Sequence, residues 1–245
     1  MQSRRLILTA GVAVPLGLSV PSLAQTAPGD IEAEIHAWIE GNKARGFFDP
    51  AVLPEPQRGS LILAPDHPAV RRAAELLAKV PTNVLPLLAA KWMMDVMDPS
   101  DTMEWPADTP DTRRPANPIV IALFAKTRTS PVKGDQTAWC AAFMNWILDH
   151  TGFRGTGSAG AVSFRDLGSR TRDPSPGDLA CFVNTSDPRF GHICFFDGWV
   201  AGREAQRDRF WAVGGNQKNR LGRDPFGVQQ GKLRLHSFRT ALAPK

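Results

Sequence analysis

The stretch 135–153, DQTAWCAAFMNWILDHTGF, decides how the chain is read. After Cys140 the residues Ala141, Ala142, Phe143, Met144, Trp146, Ile147 and Leu148 follow with little polar interruption. A helix that is apolar nearly all round belongs in a core. Thr137 is the expected N-cap, and Gly152 the expected residue just past the end. Cys140 then falls in the first turn, where partial positive charge and unpaired N–H groups stabilise a thiolate. The plain alternative is that Cys140 is a small buried hydrophobe. The helix alone does not choose between them.

Further along, PSPGDLACFVNTSDPRFGHICFFDGW reads as turn, strand, loop and strand. The first strand is predicted over Leu179 to Val183 and the second over His192 to about Phe196. A third, Phe210 to Val213, runs into Gly214-Gly215-Asn216-Gln217. The chain order is therefore a cysteine on a helix, a histidine on a strand, then an amide after the next strand. A histidine can take the thiol proton, and an amide can orient the imidazole.

These four blocks, WCAAFMNWILDHTGFRGTGS, PGDLACF, GHICFF and VGGNQ, resemble the CHAP/NlpC group of papain-like cysteine hydrolases, which cut amide bonds of bacterial peptidoglycan. The resemblance covers roughly residues 117–238. It implies an α+β fold with a papain-like core, in which an antiparallel sheet packs on the nucleophile helix. It also implies Cys140 as nucleophile, His192 as base and Asn216 as the orienting group. Many CHAP members carry a glutamate two residues before the asparagine; here that position is Gly214. Gln136 lies four residues before Cys140, which is not the papain spacing, so the Cys140 N–H is the expected oxyanion donor. Gln136, Trp139, Ser158, Ser163 and Gln217 are the candidate substrate contacts.

The run Arg154–Gly160, RGTGSAG, lacks the Gly-Lys-Ser/Thr ending of a phosphate loop and reads as a flexible cleft wall. His192 and Cys194 are two apart, with Cys181 across the hairpin, but CxxC-like pairs and a fourth ligand are missing, so no metal and no cofactor is expected. Cys181 and Cys194 are expected as core residues of neighbouring strands, roughly opposite each other, and as free thiols. The charge clusters 203–209 and 218–223 read as solvated loops.

The start of the chain reads as an export signal over residues 1–24. Arg4 and Arg5 are followed by an apolar run from Leu6 to Leu18 and the small-x-small site Ser22-Leu23-Ala24. The SRRLIL run also resembles a twin-arginine signal. No later stretch approaches the ~20 apolar residues of a membrane span. The chain carries 29 Lys and Arg against 24 Asp and Glu. Without Arg4 and Arg5 this leaves 27 against 24, mildly basic and suited to anionic wall polymers, without the concentrated stripe of a nucleic-acid binder. Residues 25–98 read as a helical region: an amphipathic helix over Asp30–Arg45, a helix capped by Asp66 and running to about Val80, and one capped by Thr82 and ending by Asp98. Residues 99–116 are proline-rich and read as an exposed linker. Residues 117–245 form the expected hydrolase domain, opening with a short helix over Ile119–Lys126.

The expectation is thus a periplasmic or secreted cysteine amidohydrolase or endopeptidase that cleaves stem peptides through a thioester. The alternatives are a catalytically silent wall-binding protein of the same fold, or a thiol-dependent acyltransferase.

Overall fold

The computed structural model describes residues 60–105, 114–240 and 244–245, together with Ala33 and Ala37. The export signal and most of the expected helix Asp30–Arg45 lie outside the described residues. Ala33 and Ala37 are helical and exposed.

Within the described residues from Ser60 on, four α-helices precede the sheet: α1 (Pro68–Leu77), α2 (Pro86–Val96), α3 (Pro118–Leu123) and α4 (Cys140–His150). Seven strands follow: β1 (Ser169–Thr171), β2 (Leu179–Asn184), β3 (Gly191–Trp199), β4 (Arg209–Gln217), β5 (Arg220–Gly227), β6 (Gln229–Gln230) and β7 (Leu233–Thr240). They form one sheet in the order β1-β7-β2-β3-β4-β5, with β6 paired to β7. Every pairing of named strands is antiparallel. The expected antiparallel sheet beginning at Leu179, with the Cys140 helix packed on it, is therefore present. The sheet is larger than the sequence reading, which saw three of its strands.

The helices begin where proline can start them. Pro68, Pro86 and Pro118 each occupy a first helical position, where the missing N–H costs nothing. This displaces the expected caps. His67, not Asp66, caps α1, its Nδ1 accepting from the Ala69 N–H. Leu85, not Thr82, precedes α2, with no side-chain cap. Asn117 caps α3: its Oδ1 accepts from the Ile119 N–H at 2.8 Å, while its Nδ2 donates to the carbonyls of Ser100, Asp101 and Met103. Trp139 holds the N-cap position of α4 without a side-chain bond, and Thr137 instead accepts from the Lys133 N–H. The other end of α4 follows the sequence. Gly152 has φ +81°, its N–H reaches the Asp149 carbonyl, and the Phe153 N–H reaches Leu148. That is the Schellman arrangement, which needs a left-handed residue at Gly152.

Alternation along the strands divides the sheet into two faces. Cys181, Ile193, Phe195 and Val213 share one core with the helices, including Leu77, Met93, Leu123 and the buried side of α4. Ala180, Phe182, Cys194, Phe196, Phe210, Ala212, Phe226 and Phe238 form a second core on the other face. The aromatic rings there meet largely edge to face, as Phe196 and Phe238 do at 5.4 Å.

The expected division into a helical region, an exposed linker and a separate catalytic domain is not what the structure shows. Residues of α1 and α2 share a single core with α4 and the sheet. Within the supposed linker, Asp101 and Ala116 are buried. Asp101 receives Arg72 through both oxygens, Met103 bridges to Arg220, and the Glu104 N–H donates to the Asn219 carbonyl. Within this run Pro99 starts a 3₁₀ turn and Pro115 bridges to Leu61. Residues 218–223 are likewise not a solvated loop. Lys218 and Asn219, both with positive φ, make the tight turn that sends the chain back as β5. No helix among the described residues is long and apolar enough to cross a membrane.

Candidate functional site

Cys140 opens α4, as the sequence reading placed it. Its side chain is buried, with 5% of the residue exposed. Burial pushes its pKa up, although the N–H groups of Ile193, Ala141 and Cys140 itself point to the sulfur and pull the other way. Desolvation is the larger of the two effects. The sulfur therefore rests as a thiol held by backbone donors, one of which comes from β3.

His192 directly precedes Ile193 but points the other way. It lies opposite Phe182 in the β2–β3 ladder, and its ring stacks on Phe226 with centroids 5.5 Å apart. Phe182 and Phe226 belong to the core on the face away from the helices. No hydrogen bond joins His192 to Cys140, and His192 Nε2 is buried without a partner. Burial alone pulls this imidazole down to about 4, so the ring is neutral at physiological pH. The expected thiol–imidazole pair is not formed. The physical reason is the period of two along β3: Ile193 must face α4, so His192 cannot.

Asn216 does come to the Cys140 end of α4, where it bonds Trp139 and Glu104 rather than His192. It has φ +56° at an irregularity in the β4–β5 ladder. Its amide is oriented so that Oδ1 accepts from the Trp139 N–H at 3.2 Å and Nδ2 donates to Glu104 Oε1 at 3.2 Å. Asn216 thus binds the backbone just before Cys140. Glu104 also accepts from Trp139 Nε1 at 3.2 Å. Its pKa is raised by burial, which the Trp139 hydrogen bond only partly opposes. Sequence reasoning missed Glu104 because it lies 36 positions before Cys140, inside the proline-rich run.

The remaining candidates scatter. Gln136 is exposed in a 3₁₀ turn, and Trp139 is almost fully buried, so its ring packs rather than meets a substrate. The glycine run is pinned, not flexible. Buried Asn145 accepts from the N–H groups of Thr156 and Gly157 through Oδ1 and donates to the carbonyl of Ser158 through Nδ2. Ser163 bonds Thr156 and the Gly160 carbonyl, and Ser158 turns back on the Gly160 N–H. Gln217 is buried; its amide, oriented for its neighbours, donates to Asp224 Oδ2 and the Gly222 carbonyl and accepts from the Gly214 N–H. Gly214, where a glutamate was looked for, faces Cys194 and Gln217 on the His192 side.

Cys181 and Cys194 are on adjacent strands but not opposite each other. Cys181 pairs with Ile193 and Cys194 with Ala180. One faces the helices and the other the aromatic core. All three cysteines are free, and burial pushes Cys181 up to about 12. Among the described residues no cluster of three or more His, Cys, Asp or Glu could hold a metal ion.

The opening at this end of the sheet lies on the His192 face. A cleft of about 710 Å³ is lined by His192, Gln217, Lys218, Asp224 and Phe226, with the 203–209 turn and Leu233 along its rim. It is of ordinary ligand-site size. Asn216 also borders it, while Cys140 does not.

The chain matches no protein-family model, no curated protein and no solved structure.

Proposed function

We propose that this chain is an exported peptide-binding protein that carries the sequence blocks of the cysteine hydrolases but holds them in a non-catalytic arrangement, and that it takes peptidoglycan stem peptides in the cleft beside His192. One observation carries the reading. Cys140 lies on the helix side of the sheet while His192 stacks on Phe226 on the other side, so among the described residues no imidazole is hydrogen-bonded to the thiol, and the cleft is on the histidine's side. A thiol raised by burial and lacking an imidazole is a poor nucleophile at neutral pH. The ligand class rests on the resemblance of the four sequence blocks, and the cleft's mix of cations, amides and aromatic floor suits a charged peptide.

A second reading, the cysteine amidohydrolase, is favoured by a different observation. The Ile193 N–H and the start of α4 both aim donors at the sulfur, and Asn216 braces the residue before it. Hydrolysis in this reading requires the His192 ring to leave its stack and cross to the helix side of β3.

Two measurements on the mature protein separate the readings. Calorimetry with purified muropeptides should show binding that survives Cys140→Ala. Mass analysis of digested peptidoglycan should show no released fragments from either form. Turnover by the wild type that is lost in both Cys140→Ala and His192→Ala would replace the binding reading with the hydrolase.

A further inference from the structure

Four arginines form a row on the helix side of the outer strand β7. Leu179 and Cys181 belong to the core shared with the helices, and Val183 follows them in the alternation along β2. Residues directly opposite in a ladder share a face. Arg239 pairs with Leu179 and Arg234 with Val183, so both stand on the helix side. Arg170 of β1 lies directly opposite Arg239. Arg165 belongs to the 3₁₀ turn Ala161–Asp166, which covers the same side, since Cys181 Sγ donates to the Phe164 carbonyl at 3.5 Å.

Among the described residues none of the four forms an ion pair with a carboxylate. Main-chain carbonyls hold three of them instead. Arg165 Nη2 donates to Pro188 at 3.0 Å and Arg170 Nη2 to His236 at 3.1 Å. Arg239 donates through Nε to Leu167 at 2.9 Å and through Nη2 to Gly168 at 2.7 Å. A carbonyl takes an N–H but leaves the positive charge in place. Three of the charges converge on His236, whose pKa is lowered by burial first and then by Arg165, Arg170 and Arg239, with Asp166 opposing. Like charges directly opposite on neighbouring strands, as Arg170 and Arg239 are, cost the sheet stability. From Arg234 to Arg239 the row runs about 15 Å along the strand, too long for one small anion.

We propose that this row binds an acidic polysaccharide through its carboxylates, one chain lying along β7 over the four arginines. The surface is on the other side of the sheet from the cleft beside His192, so the assignment goes beyond the peptide-binding reading and does not depend on it. Guanidinium forks match the paired oxygens of a carboxylate. An anion that spans Arg170 and Arg239 turns their mutual repulsion into a shared attraction. The row has no aromatic member on which a base could stack, which sets it apart from a surface for single-stranded nucleic acid.

The test uses the mature protein and an oligogalacturonate long enough to cover the row, with its methyl ester as the uncharged control. Binding is followed by calorimetry at low and high salt. The free acid should bind and weaken as salt rises, and the ester should not bind. Arg170→Gln/Arg234→Gln removes two exposed members of the row and should weaken binding about tenfold or more while keeping the wild-type urea midpoint. Arg128→Gln/Arg154→Gln removes the same charge from exposed positions outside the row and should leave binding within about twofold of wild type. No binding of the free acid at low salt, equal binding of the ester, or an equal loss in both double variants would each overturn the assignment. Tighter binding of a thymidine oligonucleotide of equal charge would overturn it in favour of a nucleic-acid surface. Muropeptide binding in the cleft is unaffected by any of these outcomes, so the two readings fail separately.

Discussion

His192 stacks on Phe226 with 17° between the ring planes, on the face of the sheet turned away from Cys140. That relationship decides the chemistry open to the thiol and makes the histidine an acid-sensitive part of the aromatic core.

The pH dependence follows with a definite sign. Folding lowers the His192 pKa from its usual 6.5 to about 4, so the unfolded chain binds the extra proton between those values. Its contribution to stability is therefore full above pH 6.5 and is lost as pH falls toward 4. The loss is on the order of 3 kcal/mol. His192→Phe should flatten the fall in urea midpoint between pH 7 and pH 4.5. An unchanged slope would mean that His192 is not buried as a neutral ring.

The three thiols should be inert in the folded protein and all present in the unfolded one. Cys140, Cys181 and Cys194 are buried with raised pKa values, so a thiol reagent at pH 7.5 should label none of them quickly. Titration in guanidinium without reductant should count three. A count of one would reveal a disulfide between Cys181 and Cys194, which their opposite facing forbids.

Gly215 is where β4 passes under α4. A Cβ there would stand 2.5 Å from Trp139 Cζ3 and 2.7 Å from Phe143 Cβ. Gly215→Ala should therefore push β4 off the helix and cost about 2–3 kcal/mol in a denaturant titration. A neutral result would show that the two elements are not packed this closely.

Asp197 ties the helical layer to the sheet. It lies in β3 with its side chain 5% exposed and receives Lys91 of α2 at 2.5 Å and Arg223 of β5 at 2.6 Å. Arg223 also lies 4.2 Å over the Trp211 ring. Asp197→Ala leaves two facing cations without their shared carboxylate. Both keep a path to water, so the expected loss is about 2–3 kcal/mol, below the range for a fully buried pair. Raising salt should recover part of it, because what remains is cation–cation repulsion.

The sequence alone determined the α4 helix, its end at Gly152 and the position of Cys140 at its start. Those depend on neighbours a few residues away: an unbroken apolar run and one glycine free to take a positive φ. It also located β2 and β3, because apolar runs bounded by turn residues are local signals. It did not show β5 or the tight turn before it, since Lys218-Asn219 is not the usual Asn-Gly signature and β5 carries three charged residues. Nor did it show that residues 99–105 are pinned to the sheet, because that pinning uses Asn117, Asn219 and Arg220 from distant parts of the chain. The candidate site divides the same way. The candidate residues were chosen from their types and order. Which of them meet was decided by which face of β3 each side chain takes, and that was fixed by Ile193 packing under α4 and His192 packing on Phe226. A shift of one residue along a strand reverses every side chain on it, so only the packed structure could place the imidazole on the far side from the thiol.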